Sequence, residues 1–322
     1  MSDEDGPEER SGYTLETTLL AGVMLLSFGY LVFFQGFSGS EFASGGALLA
    51  LPFCFGAVLT LGTQQYSPLG CLAAPLALAM VCYVLVQLGM EGLICVLMVL
   101  PIWIVAGLGG GLAALYMCHR TGGGKSPGRV RSVGLAVLPF VLIQFEAAAP
   151  PEWQIRTVER SVVIEAQPEK VWPHLVSIPT VTLDEGVATF SHDLAGIPRP
   201  RDARLVRRDG LLVREGRWGA GIRFDEIVEH VDEGRQISWR FSFPDPSLQQ
   251  TIDRHISPDG PVLEIANGAY RLEPIDLGRT RVTLSTTYRM RTRLGWYFGW
   301  WGEQMLGDIQ SNILAIVAGR AV

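Results

Sequence analysis

Asp253 and His255 stand two apart in a segment, TIDRHIS, that reads as a strand, so their side chains share a face and can pair. A carboxylate that orients an imidazole prepares a general base, which makes this pair the candidate for acid–base catalysis. The same alternation puts Ile252 and Ile256 on the opposite, core-like face and turns Asp253 and His255 to solvent, and that plainer reading is the stronger. Other residues suit the binding of an apolar molecule. Trp239, Phe241, Tyr270 and Tyr288 lie on predicted inner strand faces, and Trp301 and Met305 fall on the apolar stripe of the last helical segment. Core packing explains these aromatics equally well. The two tyrosines add chemistry, because a buried hydroxyl needs a partner and a ligand can supply it.

Three further patterns carry less. GGGKS at 122–126 looks like the end of a phosphate loop, but the glycine required five residues before Gly124 is His119, and the stretch follows no strand. It reads as a flexible basic loop. Cys54, Cys71, Cys82, Cys95 and Cys118 show no C-x-x-C spacing, so neither a disulfide framework nor a zinc site is expected, and no metal or cofactor is implied. Gly107 and Gly111 form a G-x-x-x-G step in an apolar run, which predicts close contact between helices.

The elements that must position these residues divide at about residue 150. The chain has 322 residues, of which 48% are hydrophobic, and a mean hydropathy of +0.26. Of its 26 Lys and Arg, only Arg10, Arg120, Lys125, Arg129 and Arg131 precede residue 151. Residues 1–12 form an acidic tail. Apolar runs follow at 15–37, 46–62, 69–89, 92–118 and 133–145, and a helix needs about 20 such residues to cross a bilayer core. The expectation is a bundle of about five spans over 13–149, the last of them short and holding Pro139. The only basic loop, 119–131, should be cytoplasmic by the positive-inside rule. That puts the N-terminus in the cytoplasm and, if the fifth run crosses, the C-terminal half outside. No run carries an ionisable residue near its centre, which disfavours a pump or channel.

AAAPPEW leads through a linker at 150–156 into a half with alternating rather than helical periodicity. TRVTLSTTYRM at 280–290 and ISWRFSF at 237–243 are half-buried strands, and further strands are predicted near 158–166, 203–217, 221–231, 250–257 and 262–274. Asp209-Gly210, Glu233-Gly234 and Asp259-Gly260 are turn signals. In VLEIANGAYRL the apolar parity flips, which predicts a bulge near Asn267-Gly268 and leaves Glu264 exposed. PEKVWPHL opens a helix with Pro168 at its first position, and a long amphipathic helix runs from Trp296 to Ala321. The half is nearly neutral, which argues against nucleic-acid binding.

The strand, the AQPEKVWPHL helix, the run of strands and the final long helix resemble the START-like (SRPBCC) superfamily over about 157–320. Its members include polyketide cyclases, lipid-transfer proteins and plant pathogenesis-related allergens. The resemblance implies an α+β helix-grip domain at 157–322, with an antiparallel sheet curled about the last helix around an apolar cavity. A related pattern of membrane-tethered bacterial proteins suggests the bacterial inner membrane, where a crossing by the fifth run would make the domain periplasmic. The leading expectation is an anchored domain that binds a lipid or other hydrophobic small molecule beside the bilayer. One alternative is a cyclase or dehydratase that uses Asp253, His255 or the tyrosines as acid and base, and another is an interaction module filled by its own side chains. The sequence sets no oligomeric state.

Overall fold

The computed structural model describes residues 19–20, 22–24, 44–63, 70–89, 91–120, 129–182, 184–252 and 256–322. The chain divides into two compact units, one formed by residues 1–91 and 95–151 and the other by 92–94 and 152–322.

Within the N-terminal unit the described helices are α1 (Leu51–Thr63, entered through a π-helical turn at Gly46–Ala50), α2 (Ala73–Gln87), α3 (Leu93–Arg120) and α4 (Arg129–Ala148). Leu51, Cys54, Phe55, Val58, Leu78, Cys82 and Trp103 form a shared core. The expected close contact at the G-x-x-x-G step is present. A Cβ on Gly56 of α1 would lie 2.0 Å from the Gly107 carbonyl oxygen of α3, and one on Gly111 would meet Thr60 Oγ1 at 3.0 Å, so the absence of side chains lets the helix backbones touch. Among the described residues two helices, Gly70–Gln87 and Leu93–Arg120, are long and apolar enough to cross a membrane, against the expected five spans. Gly46–Leu61 and Val133–Ala148 are apolar but shorter. The polar start of α4, with Arg129, Arg131 and Ser132, explains the second of these. The run at 15–37 lies largely outside the described residues, as does most of the basic loop at 119–131.

The C-terminal unit is α+β. Its strands are β1 (Gln154–Ile164), β2 (Pro200–Arg208), β3 (Leu211–Trp218), β4 (Arg223–Asp232), β5 (Gln236–Ser242), β6 (Leu263–Asp276) and β7 (Arg279–Met290). They form one antiparallel sheet in the order β1-β7-β6-β5-β4-β3-β2. Asp209-Gly210 and Glu233-Gly234 join adjacent strands as expected, whereas Asp259 forms an isolated bridge to Glu264. Asp209 and Gly210 both take positive φ, 51° and 80°, as a two-residue hairpin between β2 and β3 requires, so the single strand expected at 203–217 is two. The bulge in β6 falls between Ile265 and Asn267, and Glu264 is half-exposed and hydrogen-bonded to Arg289.

One expected strand is a helix. Residues Ser247–Ile252 form α7, the third of three short helices after α5 (Pro168–Val176) and α6 (Phe190–Asp193). The Ser247 N–H donates to Asp245 Oδ1 at 2.9 Å, which caps the start, and the polar stretch SLQQ has no core face to hold it extended. The long helix α8 (Gly295–Ala321) lies on the inner face of β1 and β7 and against α5 and α6, a helix-grip-like arrangement. Its burial comes from both sides: Val317, Ile316 and Leu314 join Ile164, Val171, Leu175, Ile237, Tyr270 and Val282 in the main core.

Candidate functional site

Inner-face residues on adjacent strands build the site by register. Arg214 on β3 stands directly across from Glu226 on β4, and beside them Gly216 faces Phe224. On the neighbouring ladder Trp239 of β5 faces Gly268 of β6. A Cβ on Gly268 would come within 2.7 Å of the Trp239 ring, and one on Gly216 within 2.7 Å of the Phe224 ring, so each glycine makes room for an aromatic lying flat across its strand. The rings continue along the wall, with Trp218–Phe224 centroids at 5.8 Å, Phe224–Phe241 at 5.9 Å, Trp239–Phe241 at 6.2 Å and Trp239–Tyr270 at 5.3 Å.

Into this apolar wall the chain places an ion pair. Arg214 Nη1 donates to Glu226 Oε2, and both side chains are buried. The guanidinium carbon is 5.8 Å from the Trp239 ring centroid and 5.7 Å from that of Tyr270. Taking two charges out of water costs several kcal/mol per ion, and well-packed apolar residues of the same volume would serve the fold at least as well. Burial pushes the Glu226 carboxyl above its ordinary range, with Arg214 opposing that rise. Burial also pulls the arginine down, but Glu226 and Tyr270 more than offset it, so it stays a cation. The Tyr270 phenol is pushed up to about 12, chiefly by burial, and is neutral at physiological pH. Arginine only donates, so a phenol beside it can serve it only as an acceptor and keeps its own proton for another partner.

Two more donors meet no acceptor among the described residues: Arg214 Nε and Trp239 Nε1, both buried. Such orphans are rare in a packed interior. A cleft of about 460 Å³ opens where the β5–β6 ladder ends at Arg240 and Asn267, lined among others by Phe241, Phe243, Ile265, Arg240 and Glu264. It reaches the aromatic wall at Phe241.

The residues expected to line a cavity divide into groups. Trp239 and Tyr270 are buried in the wall, and Phe241 is half-buried beside them. Tyr288 belongs to a separate cluster with Val158 and Met290, and its hydroxyl is 3.5 Å from the Gly299 carbonyl oxygen of α8, so the helix backbone offers it a partner. Trp301 packs on Phe190 at 6.1 Å and Met305 is half-buried on α8. Asp253 and His255 lie outside the described residues.

Sequence reasoning did not single out Arg214 or Glu226. The signal available was parity: Arg214, Gly216 and Trp218 share one face of β3, and Phe224 and Glu226 share one face of β4. It also passed over a second polar group. His192 Nδ1 is 2.8 Å from the Ile197 carbonyl oxygen, and Nε2 faces Asn312 Nδ2 at 3.5 Å. Burial lowers its pKa, and a neutral ring that donates from Nδ1 and accepts at Nε2 satisfies both contacts. Ser191 gives its N–H and hydroxyl to Asp308 Oδ2, each at 2.9 Å, and Asn312 Oδ1 accepts from Val187 N and Arg199 Nη1. With both ring nitrogens engaged, His192 docks the 187–199 segment on α8. Among the described residues no cluster of three or more His, Cys, Asp or Glu is placed to hold a metal ion.

Solved structures similar to this chain include the Zhui aromatase/cyclase from Streptomyces sp. R1128, at 19% identity over 52% of this chain and 94% of that one, with a TM-score of 0.32. Norcoclaurine synthase from Thalictrum flavum is 11% identical over 52% of this chain and 85% of its own, with a TM-score of 0.32. A protein from Thermus thermophilus is 19% identical over 52% of this chain and 97% of its own, with a TM-score of 0.31. Comparison with curated protein sequences finds no match. At such scores the assignment rests on the sequence match: over residues 156–318 this chain belongs to the polyketide cyclase / dehydrase and lipid transport family.

Proposed function

We propose that the protein is a membrane-anchored binder of a hydrophobic small molecule or lipid, held on the inner face of β3–β6 with an oxygen of the ligand against Arg214, Trp239 and Tyr270. One observation carries the reading. The interior is apolar and aromatic, yet it keeps a desolvated Arg214–Glu226 pair with buried N–H donors that have no protein acceptor among the described residues. A ligand carbonyl or carboxylate would satisfy those donors, and its apolar body would rest on Trp239 and Phe241; a few placed polar groups in an apolar pocket are what orient small ligands. The anchoring half of the proposal is supported by the outward apolar faces of α2 and α3, where Leu76, Met80, Val105 and Leu112 are exposed.

The test compares probes on the purified full chain. An apolar carboxylic acid should bind more tightly than a hydrocarbon of the same shape, and Trp239→Phe, which keeps a ring and removes the N–H, should lower the affinity of the acid by about 0.5 to 1.5 kcal/mol. Equal binding of acid and hydrocarbon would sink the polar half of the proposal. Reporter fusions after residues 125 and 155 test the topology: opposite sides of the membrane support a crossing by 133–148 and an external domain, and the same side places the domain in the cytoplasm.

A second reading is catalytic, favoured by the raised carboxyl of Glu226 and the phenol of Tyr270, both buried beside the Arg214 guanidinium. A cyclase or dehydratase acting on a hydrophobic substrate would use them to hold and return a proton. Turnover that survives Tyr270→Phe with Glu226→Gln would remove that reading.

A further inference from the structure

The end of the sheet where β1 begins and β7 finishes carries a surface that ligand binding does not use. Trp296 is 73% exposed and Trp300 is 54% exposed, one turn apart on the first turns of α8. Gly295 of that helix sits over Gln154, so both indoles flank the start of β1. Immediately before Gln154, the Trp153 ring meets two guanidinium groups, 4.8 Å from Arg289 and 5.0 Å from Arg291, and Arg293 follows at the exposed turn into α8. Exposed indoles interleaved with arginines on one end of a domain have a definite physical preference. Indole and guanidinium groups both favour the boundary between hydrocarbon and water, the ring buried to the depth of the glycerol and the cation with phosphates. The chain length supplies the second constraint. Four residues separate Ala148, the end of the apolar α4, from Trp153, and the five steps between them span at most about 18 Å.

We infer that Trp153, Trp296 and Trp300, with Arg289, Arg291 and Arg293, form a face that docks on the phosphate headgroup layer of the bilayer anchoring the chain. This rests on the proposed anchoring. It adds that the domain has a fixed orientation, with its β1 start against the lipid. The occupant is lipid in place of a protein because the cations are arginines beside indoles that stay exposed, and because the tether brings this end near a bilayer before any partner arrives.

The experiment uses the full chain in vesicles of phosphatidylcholine with or without phosphatidylglycerol, made with lipids brominated near the headgroup. Flotation after alkaline washing comes first, and a chain that fails to float overturns the anchoring itself and this inference with it. For a floating chain, the emission lost in Trp296→Phe/Trp300→Phe isolates these two indoles from Trp103 and the core tryptophans. That difference emission should be blue-shifted, strongly quenched by the bromolipid and protected from aqueous iodide. Arg293→Gln should shift docking about fivefold toward the undocked form in the vesicles with phosphatidylglycerol, the factor one interfacial arginine contributes, and leave it unchanged in phosphatidylcholine alone. Difference emission that iodide quenches and bromolipid does not would overturn the docking face while leaving the anchoring intact. Protection from iodide without quenching by bromolipid would mean that a protein surface covers the face, and would overturn the lipid assignment.

Discussion

Replacing Arg214 by Met keeps an unbranched apolar stem, removes the guanidinium and leaves the Glu226 carboxylate buried without its counter-charge, in a wall made of Phe224, Trp239 and Tyr270. Both members of the pair are below 10% exposed, so solvent cannot take the partner's place. Removing one member of a buried pair costs about 3 to 5 kcal/mol. Loss of the guanidinium contacts with the Trp239 and Tyr270 rings adds about 1 kcal/mol. Against a typical total stability of about 5 to 15 kcal/mol, the single variant should be close to unfolding. Pairing it with Glu226→Leu removes the orphaned charge and should restore stability to the wild-type value or above it. The assay is denaturant unfolding of the detergent-purified full chain followed by tryptophan emission. The pH dependence carries an independent signature. An unpaired buried Glu226 has a folded pKa above its unfolded value, so its contribution is fully present below the unfolded pKa and is lost as pH rises through the folded pKa; Arg214→Met should therefore be least destabilised in mild acid. A loss below about 1 kcal/mol for the single variant, or no recovery in the double variant, would refute the argument that the pair is desolvated.

Glu185 is held down to about 2, first by its hydrogen bonds from Arg320, which it meets at 2.6 and 2.8 Å. Its folded pKa is depressed, so the stabilisation is present above the unfolded value near 4.5 and disappears as pH falls toward 2. Because both side chains are partly exposed, Glu185→Gln should cost only about 1 kcal/mol, and thermal melts of that variant and the wild type should converge in acid. Gly268→Ala would press a Cβ to 2.7 Å from the Trp239 ring and should cost about 1 to 3 kcal/mol in the same unfolding assay. Tyr288→Phe removes only a long contact to the Gly299 carbonyl, so melting should show a loss below about 1 kcal/mol, and probe affinity should stay unchanged. Leu175→Ala, which empties a fully buried site between α5 and the sheet, should cost about 2 to 5 kcal/mol.

The sheet was legible because strand alternation and turn chemistry are local. Val282, Leu284, Thr286, Tyr288 and Met290 repeat every second residue, and Asp209-Gly210 demands a tight hairpin, so neither needs knowledge of the rest of the chain. α5 was legible for the same reason, through Pro168 and the spacing of Val171, Trp172 and Leu175. α7 was not, because Ile252 and Ile256 mimic a strand period once the cap from Asp245 is overlooked. The burial of Trp239 and Tyr270 on the inner face followed from strand parity. Arg214 and Glu226 stayed hidden because a charged residue in an alternating strand is read as facing solvent, and only the register that sets β3 against β4 shows them meeting inside. The partner of Tyr288 was beyond reach for a similar reason, since it is a backbone carbonyl of α8 that no residue identity announces.

The central claim is that the inner face of β3–β6 holds a hydrophobic ligand by an oxygen. A fatty acid carrying a photoactivatable group on its chain, crosslinked to the full chain in lipid nanodiscs and mapped by peptide mass spectrometry, tests it most directly. The account predicts label on peptides containing Trp239, Phe241 and Tyr270, and its loss in the stable Arg214→Met/Glu226→Leu variant. Label confined to residues before 151, or undiminished in that variant, would contradict it.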